Sequence, residues 1–273
     1  MSAPADTLTA ASRRWRWLAV LGLALLALAA LWTVLPDPDR IDLARRLQPP
    51  GAGHWLGTDA LGRDQLARLL HGSGITLSLA LGAVLLGGIG GTALGLVAGY
   101  AGGGWERLLM RLTDMQMALP TLLLALLVVA AMGPGIANLV IVLALTGWTR
   151  FARLVRGQVL SLREREFVLA AHAIGAGPLR IMLRHLLPNL AGPLLVLATL
   201  ELARTILVEA ALSYLGLGVQ PPTASWGRML AEGEIYIATA WWVVVFPGLA
   251  IAATVLAINL GGDRLRDRLD PRR

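Results

Sequence analysis

The stretch Arg165–Asn189 reads REFVLAAHAIGAGPLRIMLRHLLPN. Phe167, Ala170, Ala171 and Ile174 recur at helical spacing, which predicts a short amphipathic helix. Gly175-Ala176-Gly177 interrupts it, and Pro178 suits the first turn of a second helix. There Leu179, Met182, Leu183, Leu186 and Leu187 repeat the apolar pattern up to Pro188-Asn189. Arg163, Glu164, Arg165, Glu166, Arg180 and Arg184 occupy the other faces. Two short helices about a glycine bend make a compact knob. Such a knob either lies on anionic lipid or docks a protein, and the mixed charge of the first helix together with the bend favours docking.

On both sides of this block the chain is membrane-like. Of 273 residues 56% are hydrophobic and 15% charged, where a soluble domain carries about 25% charged residues. The mean hydropathy is +0.66. A helix crosses a bilayer with ~20 apolar residues, a length that Trp17–Leu35, Ile75–Gly99, Leu190–Leu212 and Ile237–Gly261 provide. Two shorter stretches, Ala118–Met132 and Ile136–Trp148, flank Gly133-Pro134-Gly135 and either extend into neighbouring residues or form a tilted hairpin. The first stretch is too long for a signal peptide and runs into Leu35-Pro36-Asp37 without a small-residue cleavage site, so it is expected to be retained. The expected fold is an all-α membrane protein with six transmembrane helices and a cytoplasmic helix-turn-helix.

Arginine-rich loops stay in the cytoplasm. With the N-terminus inside and six spans, the inner pieces hold Arg13, Arg14 and Arg16, then Arg107 and Arg111, the arginines of 150–184 and those of 264–273. Only Arg40, Arg45, Arg46, Arg63, Arg68 and Arg228 fall outside, beside enough acids to leave that face near neutral. If one short stretch crossed without the other, a basic block would be stranded outside, so the two cross as a pair or not at all. The expected division is a tail over 1–16, a helix over 17–35 and an outer loop over 36–74. A five-helix core follows over 75–262, containing the knob over 163–188 and an outer loop over 213–240, and a cytoplasmic tail closes the chain over 263–273.

The same composition excludes several chemistries. There is no cysteine, hence no disulfide or thiolate site, and every one of the 24 basic residues is arginine, hence no Walker lysine or Schiff base. The net charge of +7 is accounted for by orientation, and no nucleic-acid motif accompanies it. His54, His71, His172 and His185 lack metal-ligand spacing. No catalytic or metal-binding set is expected.

Within the spans, Gly87, Gly91, Gly95 and Gly99 form a ridge that lets a neighbouring backbone approach, inside this chain or between two copies. Glu201 and Arg204 share a helix face and can pair or line a pathway. Glu209 has no cationic neighbour at helical spacing and is the better candidate for a pathway or an inter-subunit contact.

The knob resembles the EAA loop of ABC-importer permeases: Ala170-Ala171, then Gly175, then Leu187-Pro188, with Leu169 in place of the motif's glutamate and His185 in place of its isoleucine. Three further stretches are similar to the dipeptide, oligopeptide and nickel branch. They are HWLGTDALGRDQLARLLHG (His54–Gly72), EAALSYLGLGVQPPTASWGRML (Glu209–Leu230) and NLGGDRLRDRLDP (Asn259–Pro271). The resemblance covers the chain from about Leu47 onward, and the extra N-terminal helix is similar to that of the C-type member of the permease pair.

The resemblance implies a non-catalytic subunit in the bacterial inner membrane, with both termini cytoplasmic. Its implied partners are a homologous second permease, two cytoplasmic ABC ATPases carrying ATP and Mg²⁺, and an external binding protein. This chain itself would hold no cofactor. Glu166, Ala170, Ala171, Gly175, Gly177, Arg180, Leu187 and Pro188 would form the ATPase-coupling loop. Pro221, Pro222 and Trp226, in the outer loop, would dock the binding protein or pack as a plug. Trp241-Trp242 and Phe246-Pro247-Gly248 are closer to peptide permeases than to nickel, glutathione or opine importers. A stand-alone secondary transporter is the remaining alternative, but no internal repeat supports it.

Overall fold

A computed structural model describes residues 37–269; the expected N-terminal tail and first span, Trp17–Leu35, lie outside the described residues. Within them the chain is helices and turns without a strand. Helix α1 is Gln65–Ala101, 37 residues and so about 55 Å long. It starts before the expected Ile75 because Asp64 caps it, accepting from the Ala67 amide at 2.8 Å. It ends at Gly102, whose φ of 65° is open to glycine.

Two helices then turn back. Helix α2 (Gly103–Met117) and α3 (Thr121–Met132) meet at 94° about Pro120, and α2 is tied to the helix that follows α3 by the pairs Glu106–Arg156 and Asp114–Arg153. Helix α4 runs Ile136–Leu162. Of the two short apolar stretches, therefore, the second is the opening half of a long helix and the first is one arm of a bent pair. The knob follows as α5 (Glu166–Ala173) and α6 (Pro178–Ile181), joined by a π-helical turn, Met182–Leu186, to α7 (Leu187–Tyr214). A short helix α8 (Trp226–Gly233) precedes α9 (Trp242–Leu269), which begins after the expected Ile237.

Helices α1, α4 and α9 are each long and apolar enough to cross a membrane, and α2 with α3 can be counted as one broken span. Helix α7 is as long as α9, 28 residues each, but interrupts its apolar run with Glu201, Arg204 and Glu209.

The glycine ridge sets the central contact, between α1 and α4. A Cβ on Gly87 would stand 2.8 Å from the Ala144 carbonyl oxygen, and one on Gly95 2.6 Å from that of Ala152. A Cβ on Gly99 would meet Val159 at 2.8 Å, and at Gly91 the carbonyl of Trp148 is nearer still. The ridge is thus filled by α4 of this same chain. Around it, Leu79, Ala83, Val129, Leu139 and Val142 make one apolar core, and Leu96, Val155 and Val159 begin a second that continues into the knob. Trp226 and Met229 of α8 pack on Ile206 and Ile251 as a third.

Candidate functional site

The knob owes its shape to its glycines. Gly175 has φ 78°, its amide donates to the His172 carbonyl at 2.9 Å, and the Ala176 amide donates to Ala171 at 3.0 Å. These two bonds are a Schellman closure, which places a left-handed residue just past a helix end. Pro178 then opens α6, where a missing amide costs nothing. Val168, Ala171, Ile181 and Leu186 face inward onto Leu96, Val155, Val159 and Leu190. The Tyr100 ring, at the end of α1, stacks on His172 with centroids 6.0 Å apart, and Arg163 donates to the Gly99 carbonyl at 3.2 Å. The knob is therefore fastened to α1 and α4 and continuous with α7.

This arrangement corrects the expected apolar face of the first helix. Of Phe167, Ala170, Ala171 and Ile174 only Ala171 is buried, and Val168 fills the inward position instead. An eight-residue helix lying on two helix ends buries one narrow stripe, so its other apolar residues are left outside. Ile174 is 84% exposed, and Phe167, Leu169, Leu179 and Leu183 are also exposed. Glu166, Ala170, Gly175, Gly177, Arg180 and Pro188 lie on the exposed side, whereas Ala171 is buried and Leu187 half-buried.

A second polar group lies where α3, α4 and α7 meet. Arg150 donates to Glu201 at 2.8 Å, and Arg204 donates to the Thr121 hydroxyl at 2.7 Å. Gln116 accepts from the Trp148 indole at 2.8 Å and donates to the Leu145 carbonyl. The expected Glu201–Arg204 pair is thus corrected: a neighbouring helix supplies the cation, and Arg204 turns to a hydroxyl. Arg150, Gln116 and Thr121 escaped the sequence reading because nothing in their local spacing points to Glu201 or Arg204. Glu201 is buried, so Glu201→Ala is expected to cost about 3 kcal/mol by leaving Arg150 unpaired. Melting temperatures in detergent check this, since adding Arg150→Ala should recover most of the loss.

Two other candidates lie inside the fold. Glu209 is fully buried, accepting from the Ser213 hydroxyl at 2.7 Å, while Ser213 also accepts from the Val219 amide at 3.1 Å. It faces the chain's own interior. Trp226 is 4% exposed and donates through its indole to the Leu69 carbonyl at 2.9 Å, so it anchors the loop to α1. Of the three outer-loop candidates, Pro221 and Pro222 remain exposed.

At the start of α1, opposite the knob, is a charged recess that the sequence did not signal. Asp59 accepts from Arg63 at 2.6 Å and from Arg68 at 2.5 Å. Glu232 of α8 accepts from Arg63 at 2.9 Å and from Arg228 at 3.1 Å, and lies 3.0 Å from Arg68. Together with Gln65, Tyr236 and Val243 these residues line a cavity of about 320 Å³.

A family model described as "Binding-protein-dependent transport system inner membrane component" matches residues 91–273. The chain is 48% identical over 252 residues to the di/tripeptide transport system permease protein of Pseudomonas aeruginosa (strain UCBPP-PA14), covering 90% of this chain and 83% of that one. It is 45% identical over 264 residues to the nickel transport system permease protein of Escherichia coli (strain K12), covering 95% of each. An inward-facing structure of the MetNI methionine ABC transporter superposes with a TM-score of 0.60 at 20% identity, over 74% of this chain and 96% of that one. That likeness carries the fold alone.

Proposed function

The chain belongs to the binding-protein-dependent inner-membrane transport components, in the dipeptide, oligopeptide and nickel permease family of ABC importers, and on that premise we propose that it forms half of a peptide pathway and performs no chemistry itself. The other half is a homologous permease. Two cytoplasmic ATPases bind and hydrolyse ATP, and an external protein delivers the peptide. The chain sits in a bacterial inner membrane with both termini in the cytoplasm, a reading supported by the distribution of arginines.

The observation that carries this reading is the number of apolar side chains the knob leaves exposed about its glycine bend, Phe167, Ile174, Leu179 and Leu183 among them. An apolar patch on a well-anchored element is the signature of an interaction site. Seated in an ATPase groove, it would follow the closure of the ATPase pair on ATP. The π-helical turn Met182–Leu186 passes that displacement directly into α7, which carries Glu201 and Arg204. These two residues, beside Arg150 and Thr121, are the candidate pathway groups, because ionisable side chains at membrane depth are retained where they meet water or substrate.

Purification of the tagged chain in mild detergent, with mass spectrometry of the co-purifying proteins, tests the assembly. A second permease and two ATPases are the expected result, and a chain recovered alone would sink the reading. A nickel importer is the second reading, supported by likeness to the Escherichia coli permease over 95% of both chains. Peptides are expected to stimulate ATP hydrolysis in the complete system, and stimulation by Ni²⁺ alone would reverse the choice.

A further inference from the structure

Resting on the importer reading, we infer that the recess between α8 and the start of α1 receives an acidic side chain of the external binding protein. Three guanidinium groups face two carboxylates there, and all four carboxylate oxygens are already engaged. Asp59 Oδ1 accepts from the Leu61 and Arg63 amides at 2.8 and 2.9 Å, and Oδ2 accepts from Arg63 and Arg68. Glu232 Oε1 accepts from Arg228 Nε, and Oε2 faces Arg63 and Arg68. Arg228 has spent only its Nε; among the described residues its two terminal nitrogens have no acceptor. A third carboxylate would balance the charge and meet the fork geometry that guanidinium presents.

The rim indicates where that carboxylate comes from. Leu61 is 38% exposed and Ile235 78%, with Pro221 exposed beside them. An apolar rim around a charged centre suits coverage by a folded protein more than capture of a free solute. The recess is built from residues 59–68 and 221–243 alone, apart from α3 and α4 and from the Glu201–Arg204 face. It stands at the opposite end of α1 from Tyr100 and the knob, which is the outer end if the knob is cytoplasmic.

The test uses the complete importer in nanodiscs, with ATP hydrolysis followed against the concentration of peptide-loaded binding protein. Arg228→Glu is expected to raise the half-saturating concentration about tenfold or more. Because repulsion from Glu232 can upset folding in that variant, Arg228→Gln serves as the gentler form, with a rise of about threefold to tenfold expected. An unchanged half-saturation in Arg228→Gln overturns the proposal. So does an unchanged binding-protein requirement accompanied by a raised peptide requirement, which would assign the recess to the cargo's own carboxylate. A wild-type complex that the binding protein does not stimulate at all would instead bring down the importer reading beneath it.

Discussion

Gly175→Arg is expected to leave the chain inserted and assembled in the membrane while abolishing transport and substrate-stimulated ATP hydrolysis. Gly175 sits at φ 78°, where an L side chain is strained, by about 1–2 kcal/mol. A Cβ there meets nothing within 4 Å, so the new side chain projects outward and the fold survives. What is lost is the bend that the His172 and Ala171 carbonyls close, together with a clear surface beside Ile174. Both effects fall on the face that we propose meets the ATPase. Gly175→Ala carries the backbone strain without the bulk and should retain partial activity. Transport assays in vesicles, with membrane content measured by immunoblot, separate the two contributions. Normal transport by the arginine variant would remove the docking surface from the mechanism.

Gly91→Leu is expected to have the opposite signature, with the protein lost from the membrane and no variant left to assay. The Trp148 carbonyl occupies the space of a Cβ, and the Phe151 Cβ lies 2.8 Å from it. Neither atom is the end of a flexible side chain, so α1 and α4 must separate along their length, which strips contacts from Ala144 to Val159. Overpacking of this kind costs about 3 kcal/mol or more. The neighbouring Gly90 provides the control, since it is exposed and a Cβ there meets nothing within 4 Å. Gly90→Leu should accumulate normally. Equal loss of both variants, followed by membrane yield and protease sensitivity, would mean that the glycines serve something other than the α1–α4 contact.

Much of the membrane scaffold was legible in the residues. Uninterrupted apolar runs mark α1 and α9, and a shorter one the opening half of α4, because crossing a bilayer is a matter of length and composition within one segment. The glycine bend at 175–177 and the four-residue spacing of Gly87, Gly91, Gly95 and Gly99 were legible for the same reason, since each is a local backbone requirement. The start of α1 at Gln65 was missed, although Asp64 is a recognisable cap, because the apolar count begins later.

Only the tertiary structure decided where the charges and faces go. Glu201 chose Arg150 on another helix over Arg204 on its own, Glu209 and Trp226 went inside, and Val168 rather than Phe167 turned toward the bundle. Arg63 meets Glu232 across 169 residues of sequence, a pairing no local spacing encodes. A helix apolar on most of its faces has no single stripe to point inward, so its rotation is set by what packs against it. A buried charge, likewise, is placed by whichever opposite charge the packed helices bring within about 3 Å.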